Sequence, residues 1–306
     1  MTRFLCLPLL GLAAFICSQC SHAPQNIKAA DSTPTATLAS IPVSTGFQEY
    51  WYQGKAELSS YTVTQERYGE LRPAEQVNIF VTEDLSRQKQ VKLDYPDQAG
   101  SDRVAVLKLN SVRRFHTGIY DYSVEESVFT PVDGSPTLKT TCTVQDWCGQ
   151  VFTQRNLDKK DYRIRQFSYF ETEGDSDQRL PQTLLEDELW TKLRIDPAAL
   201  PLGKVQVVPA TLYLRFRHQP FQVHDATLSM EKGNGEHTLR LHYDDMARDL
   251  AIRFEPTSPY RILGWEELDN GKLMSKGQLK TTRMEAYWSQ HDNKHNGMRD
   301  SLQVAF

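Results

Sequence analysis

Residues 239–254 read LRLHYDDMARDLAIRF. Leu239, Leu241 and Tyr243 alternate with Arg240 and His242, and Leu250, Ile252 and Phe254 alternate with Ala251 and Arg253. Successive side chains leave opposite faces of a strand, so a period of two predicts strands with one buried and one solvated face. The pattern recurs elsewhere. Val77, Ile79 and Val81 share a face within residues 76–82, and Val91, Leu93 and Tyr95 do the same. Leu212, Leu214 and Phe216 oppose Tyr213, Arg215 and Arg217. Residues 104–109 are apolar on both faces except at Lys108, which predicts a central strand. Asn234-Gly235 and Asn270-Gly271 are hairpin pairs suited to positive φ, and Asp133-Gly134 and Gly174-Asp175 are looser turns.

One helix interrupts the strands. Thr183 and Glu186 have capping-box spacing, Leu185, Leu189 and Leu193 repeat at helical intervals, and Pro197 ends the element. The expected fold is mainly β: a large, curved antiparallel sheet or incomplete barrel with one covering helix near 183–195. Leu302, Val304 and Phe306 alternate at the C-terminus like the last strand of an outer-membrane barrel. The abundant charge on the strands argues against a lipid-facing band.

The first twenty residues, MTRFLCLPLLGLAAFICSQC, place Arg3 before an apolar run from Phe4 to Ile16. That run is shorter than the roughly 20 residues a spanning helix needs and fits an export signal. Cleavage before Cys20 makes that residue the acceptor of a lipid (palmitate) anchor; cleavage after Ala23 is the alternative. Residues 21–44 are rich in Ser, Thr, Ala and Pro and lack aromatics, the composition of a disordered tether. The expected organisation is a signal at 1–19, anchor and tether at 20–45, a single β-rich domain at 46–290 and a tail at 291–306. A net charge of −4 gives no electrostatic case for nucleic acid.

Candidate chemistry is sparse. Of five cysteines, Cys142 and Cys148 belong to the body. An oxidising compartment invites a disulfide between them, but straight strand over six residues spans roughly 20 Å, so the bridge requires a turn at Gln145-Asp146. Two separate buried thiols are the alternative. No HExxH, Walker loop, GxSxG elbow or Rossmann glycine pattern occurs, and His291 and His295, four apart, sit in a segment that reads as a polar loop rather than a helix, so no catalytic residue, metal or cofactor is assigned. Trp51, Trp147, Phe170 and Trp190 are the candidate lining of an apolar ligand cavity, with ordinary core packing as the competing account.

Four blocks carry a resemblance: FQEYWYQGKAELSSYTVTQERYGELR from Phe47, QDWCGQVF from Gln145, SYFETEGD from Ser168 and LLEDELWTKLRIDP from Leu184. Together they resemble a family of exported, Bacteroidetes-type lipoproteins whose members are named septum formation inhibitor Maf. True Maf proteins are cytoplasmic α/β nucleotide pyrophosphatases with an early Ser-x-Ser-Pro-Arg-Arg motif, and that motif does not occur here. The resemblance implies a place in the cell envelope and transfers no site residue. The expectation is therefore an envelope lipoprotein, in the outer membrane or periplasm, that binds an apolar ligand or an envelope protein without catalysis. An envelope hydrolase with a site of unfamiliar form, or a structural partner of an outer-membrane complex, are the alternatives.

Overall fold

The computed structural model describes residues 44–305, all within the compact unit Ser40–Phe306. The signal, Cys20 and the tether up to residue 43 lie outside the described residues. A short helix opens the domain, α1 (Thr45–Trp51), N-capped by the Ser44 hydroxyl, which accepts from the Phe47 N–H at 3.2 Å. Strands β1 (Ala56–Arg67), β2 (Glu70–Ser86), β3 (Arg103–Thr117), β4 (Tyr120–Pro131), β5 (Lys139–Asp146), β6 (Gly149–Asp158), β7 (Asp161–Ser168) and β8 (Ser176–Pro181) form an up-and-down series. After a two-residue strand β9 (Leu184–Leu185) come α2 (Leu189–Ile195), β10 (Gly203–Val208) and α3 (Thr211–Arg217). A second series follows: β11 (His224–Lys232), β12 (His237–Tyr243), β13 (Arg248–Phe254), β14 (Ile262–Asp269) and β15 (Lys272–Glu285). Strand β15 pairs antiparallel with β1 and joins both series into one 15-stranded sheet, with β8 at one edge and β9 at the other.

The chain itself shows how far this sheet curls. Only Gln182 and Thr183 separate the two edge strands. Three Cα–Cα steps therefore hold Pro181 and Leu184 within about 11 Å. No ladder joins β8 to β9, so the sheet is an incomplete barrel. Its ladders are antiparallel except for β9 on β10. The edges are poor templates for further pairing: β8 carries Asp177 and Arg179 and ends at Pro181, and β9 is two residues long.

Residues 239–254 form β12 and β13 as the alternation requires, with Leu239, Leu241, Tyr243, Leu250, Ile252 and Phe254 in the core. Asn270 and Gly271 make the β14–β15 turn, both at positive φ. On β2 the inward face is Gln76, Asn78 and Phe80, while Val77, Ile79 and Val81 face outward. That outer face is covered by residues 286–305. Tyr287 and Trp288 lie beside Val81, and the Ala305 N–H donates to Glu75 at 2.8 Å. The tail is thus a strap of short helical turns, including α4 (Met298–Ser301), and Leu302 and Val304 form no strand.

Three elements differ from expectation. Residues 91–95 lie in the β2–β3 loop, with Val91 and Tyr95 exposed; three alternating residues before Pro96 are too few to carry a strand. Residues 211–217 are helix α3. It sits inside the shell and is buried on nearly every side, so it has no solvated face to reveal its period. The helix near 183–195 begins later than its capping box suggested. The Thr183 hydroxyl donates to the Gln206 carbonyl at 2.5 Å, Leu184–Leu185 pair with β10, and the helix runs from Leu189. Glu188, not Glu186, caps backward, accepting from the Leu185 N–H at 3.3 Å.

The disulfide is not formed. Strand β5 continues straight through Gln145 and Asp146, and the chain turns at Trp147-Cys148 instead. Cys142 points into the core and Cys148 stands exposed at the turn, both as free thiols.

Candidate binding surface

The curled sheet is filled, not hollow. Segment 184–195 brings three consecutive acids into the shell, each with its own partner. Glu186 accepts from Arg248 and from the Tyr243 hydroxyl. Asp187 accepts from Arg155 at 2.7 Å and from the Thr211 N–H and hydroxyl at 3.0 and 2.9 Å. Glu188 makes the cap and faces Lys192 at 3.7 Å. Further along the helix, Arg194 donates twice to Glu57, at 2.7 and 2.6 Å, and lies between the rings of Trp51 and Phe80. Burial pushes Glu57 up, but the Arg194 charge and hydrogen bonds from Arg194, Tyr50 and Ser59 outweigh it, so its pKa falls below the ordinary value. Glu126 goes the other way: burial first, then the nearby Asp187, hold its pKa well above the ordinary value. Burial likewise raises the Cys142 thiol, with Glu126 and Asp187 adding to it, which makes it an inert core group. The space left among Gln76, Asn78, Arg113, Glu126, Trp190 and Glu267 is about 40 Å³, room for water and no more.

The four aromatic residues singled out as a cavity lining are not brought together. Trp51 is core, against Phe80 and Arg194. Trp190 packs edge-on to Trp265 with ring centres 5.4 Å apart. Phe170 lies over Arg215 at 4.9 Å in the β7–β8 loop, and Trp147 is 67% exposed at the β5–β6 turn. Among the described residues no group of three potential metal ligands occurs, and no helix is long and apolar enough to cross a membrane.

What remains is surface, and one end of the sheet is unusual. The β1–β2, β3–β4, β5–β6 and β7–β8 connections all close at that end, because each follows an odd-numbered strand of the meander. Each carries an exposed large side chain: Tyr68 (58%), Ile119 (84%), Trp147 (67%) and Tyr169 (70%). Neighbouring tips are two strands apart, about 10 Å. Contacts link the row. The Tyr68 hydroxyl bonds that of Tyr122 at 2.7 Å, and Tyr120 lies 5.9 Å from Tyr122 between ring centres. The Tyr169 ring covers Gly149, where a Cβ would come within 2.6 Å of it, and it meets Phe170 edge-on at 5.4 Å. Tyr68 occupies left-handed backbone at φ 58°, a conformation costly for a residue with a Cβ. Burial raises its hydroxyl pKa, but hydrogen bonds from Tyr120 and Tyr122 and the Arg67 charge lower it overall. Glu70, Asp121, Asp146, Glu171 and Asp175 flank the row against Arg67, Arg72 and His116; Glu70 pairs with Arg72 and Asp121 with His116, and the carboxylates remain in excess.

Two depressions adjoin this end. A slot of about 290 Å³ lies between the inner face of β7–β8 and the last turn of α3. An open trough of about 700 Å³ runs over the outer face of β2–β4 beside Ala305, with Phe115 and Tyr122 turned away from it into the core. Two of the four tips had a signature in the sequence, a large apolar residue next to a turn glycine: Tyr68-Gly69 and Gly118-Ile119.

No protein-family model and no curated protein matches the chain. Among solved structures it is similar to one described as a beta-barrel-like protein of a domain of unknown function, DUF1849, from Brucella abortus. That likeness covers 75% of this chain and 98% of the other, at 10% identity and a TM-score of 0.48.

Proposed function

We propose that this chain is an exported, lipid-anchored protein of the bacterial cell envelope that acts by docking a protein partner, without catalysis. The observation that carries the docking half is the row Tyr68, Ile119, Trp147 and Tyr169 on consecutive hairpin tips of a filled shell. Large apolar side chains grouped on a surface bury area only when something covers them. The acidic surround selects the occupant: an apolar patch rimmed by Lys and Arg. An anionic lipid surface is repelled by the same carboxylates. The enclosed core has no room for an apolar small ligand, and the perturbed carboxylates Glu126 and Glu267 are turned into it. The export and anchor half rests on Arg3, the run Phe4–Ile16, Cys20 and the lipoprotein resemblance.

A photo-crosslinking amino acid at position 119 or 169, in the native cells, tests the docking half. The expected result is one shared adduct from both tips. It disappears when Trp147→Ser is added and is absent from position 240 on the outer face of β12. Adducts with lipid alone, or an adduct indifferent to Trp147→Ser, would overturn it. Palmitate labelling of the same cells tests the anchor; label that survives Cys20→Ala removes Cys20 from that role.

A further inference from the structure

We infer that the slot beneath the β8 edge is a binding site for a neutral, polyhydroxylated ring, a sugar-like ligand of one or two units. The slot lies on the concave side of the sheet, beside the edge where the barrel stays open. Gln166 and Ser176 are register partners on β7 and β8, and Gln178 follows on the same face of β8. All three therefore point from one wall toward the last turn of α3. The opposite wall is Arg215 and His218, and Leu214 and Phe221 supply an apolar floor. About 290 Å³ is at the small end for a ligand site, which suits a ring of one or two units.

The chemistry of the walls is amide and hydroxyl. The Ser176, Gln178 and Gln219 side chains hold no hydrogen bond within the described residues; Gln178 is half-buried, and Ser176 and Gln219 stand exposed at the mouth, where a ligand would replace water. The Gln166 amide accepts a long contact from Thr153, at 3.4 Å, and keeps its NH₂ uncommitted. Such groups satisfy ring hydroxyls, which both donate and accept, and the apolar floor suits the C–H face of a ring.

The charged members are already paired. Glu173 accepts from Arg215 at 2.5 Å, from His218 Nδ1 at 2.5 Å and from the Ser168 hydroxyl at 3.2 Å. The carboxylate and guanidinium cancel, so nothing selects a charged ligand. The same contacts pin the β7–β8 loop onto α3 and preorganise the wall. His218 ends α3 in left-handed backbone at φ 53°, the place where a helix usually has glycine. A histidine there costs backbone strain and places an imidazole on the slot. With Nδ1 committed to Glu173, Nε2 is the ring nitrogen left for a ligand.

Ligand-observed saturation-transfer NMR on the mature protein tests this with glucose, galactose, N-acetylglucosamine and its β-1,4-linked dimer, and with glucuronic acid as the charged counterpart. At least one neutral sugar should receive saturation. Gln178→Ala should weaken its binding tenfold or more at unchanged thermal stability, and Ile119→Ser, two hairpin tips away from the β7–β8 loop, should leave it intact. Absence of transfer to every neutral sugar overturns the site, as does transfer unaffected by Gln178→Ala. Preference for glucuronic acid overturns the neutral character. The slot shares the β7–β8 loop with Tyr169 but not with Ile119 or Trp147, so sugar transfer and crosslinking from position 119 can fail separately.

Discussion

Glu126 shows how a single buried side chain sets the electrostatics of this interior. Its carboxyl faces Asp187, and Oε1 has no hydrogen-bond donor. Burial and the neighbouring carboxylate both disfavour the charge, so the pKa lies well above its ordinary 4.5. In the window between 4.5 and the raised value, the folded protein holds a proton that the unfolded chain has released. Stability therefore falls as pH rises through that window. Glu126→Gln keeps the shape and carries the neutral form permanently. It should leave Tm unchanged near pH 4 and raise it at pH 7.5, by about 2–4 °C for each kcal/mol recovered. Thermal unfolding of variant and wild type at the two pH values checks this. A variant less stable at pH 7.5 would mean that Glu126 is charged in the folded state. Glu57 titrates with the opposite sign, since its lowered pKa adds stability above the ordinary carboxylate range and loses it on acidification. Comparing variant with wild type at each pH removes that shared background.

At the scale of elements, the strands with one solvated face were legible and the enclosed elements were not. Residues 239–254 alternate because Arg240, His242 and Arg253 meet water while Leu241 and Ile252 meet the core. Helix α3 has no such contrast: Tyr213, Leu214, Arg215 and Phe216 are all buried, and a short run buried all round reads equally well as strand or helix. The inner face of β2 misleads for a related reason. Gln76 faces inward to accept from Arg113, which also bonds Gln65, and Asn78 accepts from the Gln76 amide at 2.8 Å, so polarity here marks the interior. No pattern in the chain says that the interior is polar, because the partners come from distant strands. Gly277 on β15 is a second long-range constraint. It sits opposite Trp265 of β14, whose ring lies flat across it. That ring is fixed on all sides: its N–H donates to Ser275 at 2.9 Å, and Tyr61 and Trp190 meet it edge-on at 5.1 and 5.4 Å. Gly277→Ala should therefore destabilise the fold by about 1–3 kcal/mol through overpacking, measured as a lower urea midpoint at constant slope.

For the whole molecule, the division is between a shell that stabilises and a rim that does not. The packed interior runs from Trp51 and Arg194 through the three acids of segment 184–195 to Phe216 near the tips. Ile119, Trp147 and Tyr169 lie beyond it, each at least two-thirds exposed. Serine at these positions should shift folding stability by only about 0.5 kcal/mol or less each, because little buried area is lost. Partner binding should respond quite differently. If the tips anchor a basic-rimmed partner, the triple variant should lose most affinity through faster dissociation, since removal of buried apolar anchors acts on the bound state. Neutralising Glu70, Asp121 and Glu171 should instead slow association and flatten its dependence on salt, because those carboxylates act at long range and are screened over about 8–10 Å. Surface-binding kinetics between 50 and 500 mM salt, using the partner trapped at positions 119 and 169, separate the two effects. Association that is insensitive to salt in the wild type would remove the basic rim from the description of the partner. Serine variants that lose thermal stability along with binding would show that the tips belong to the fold.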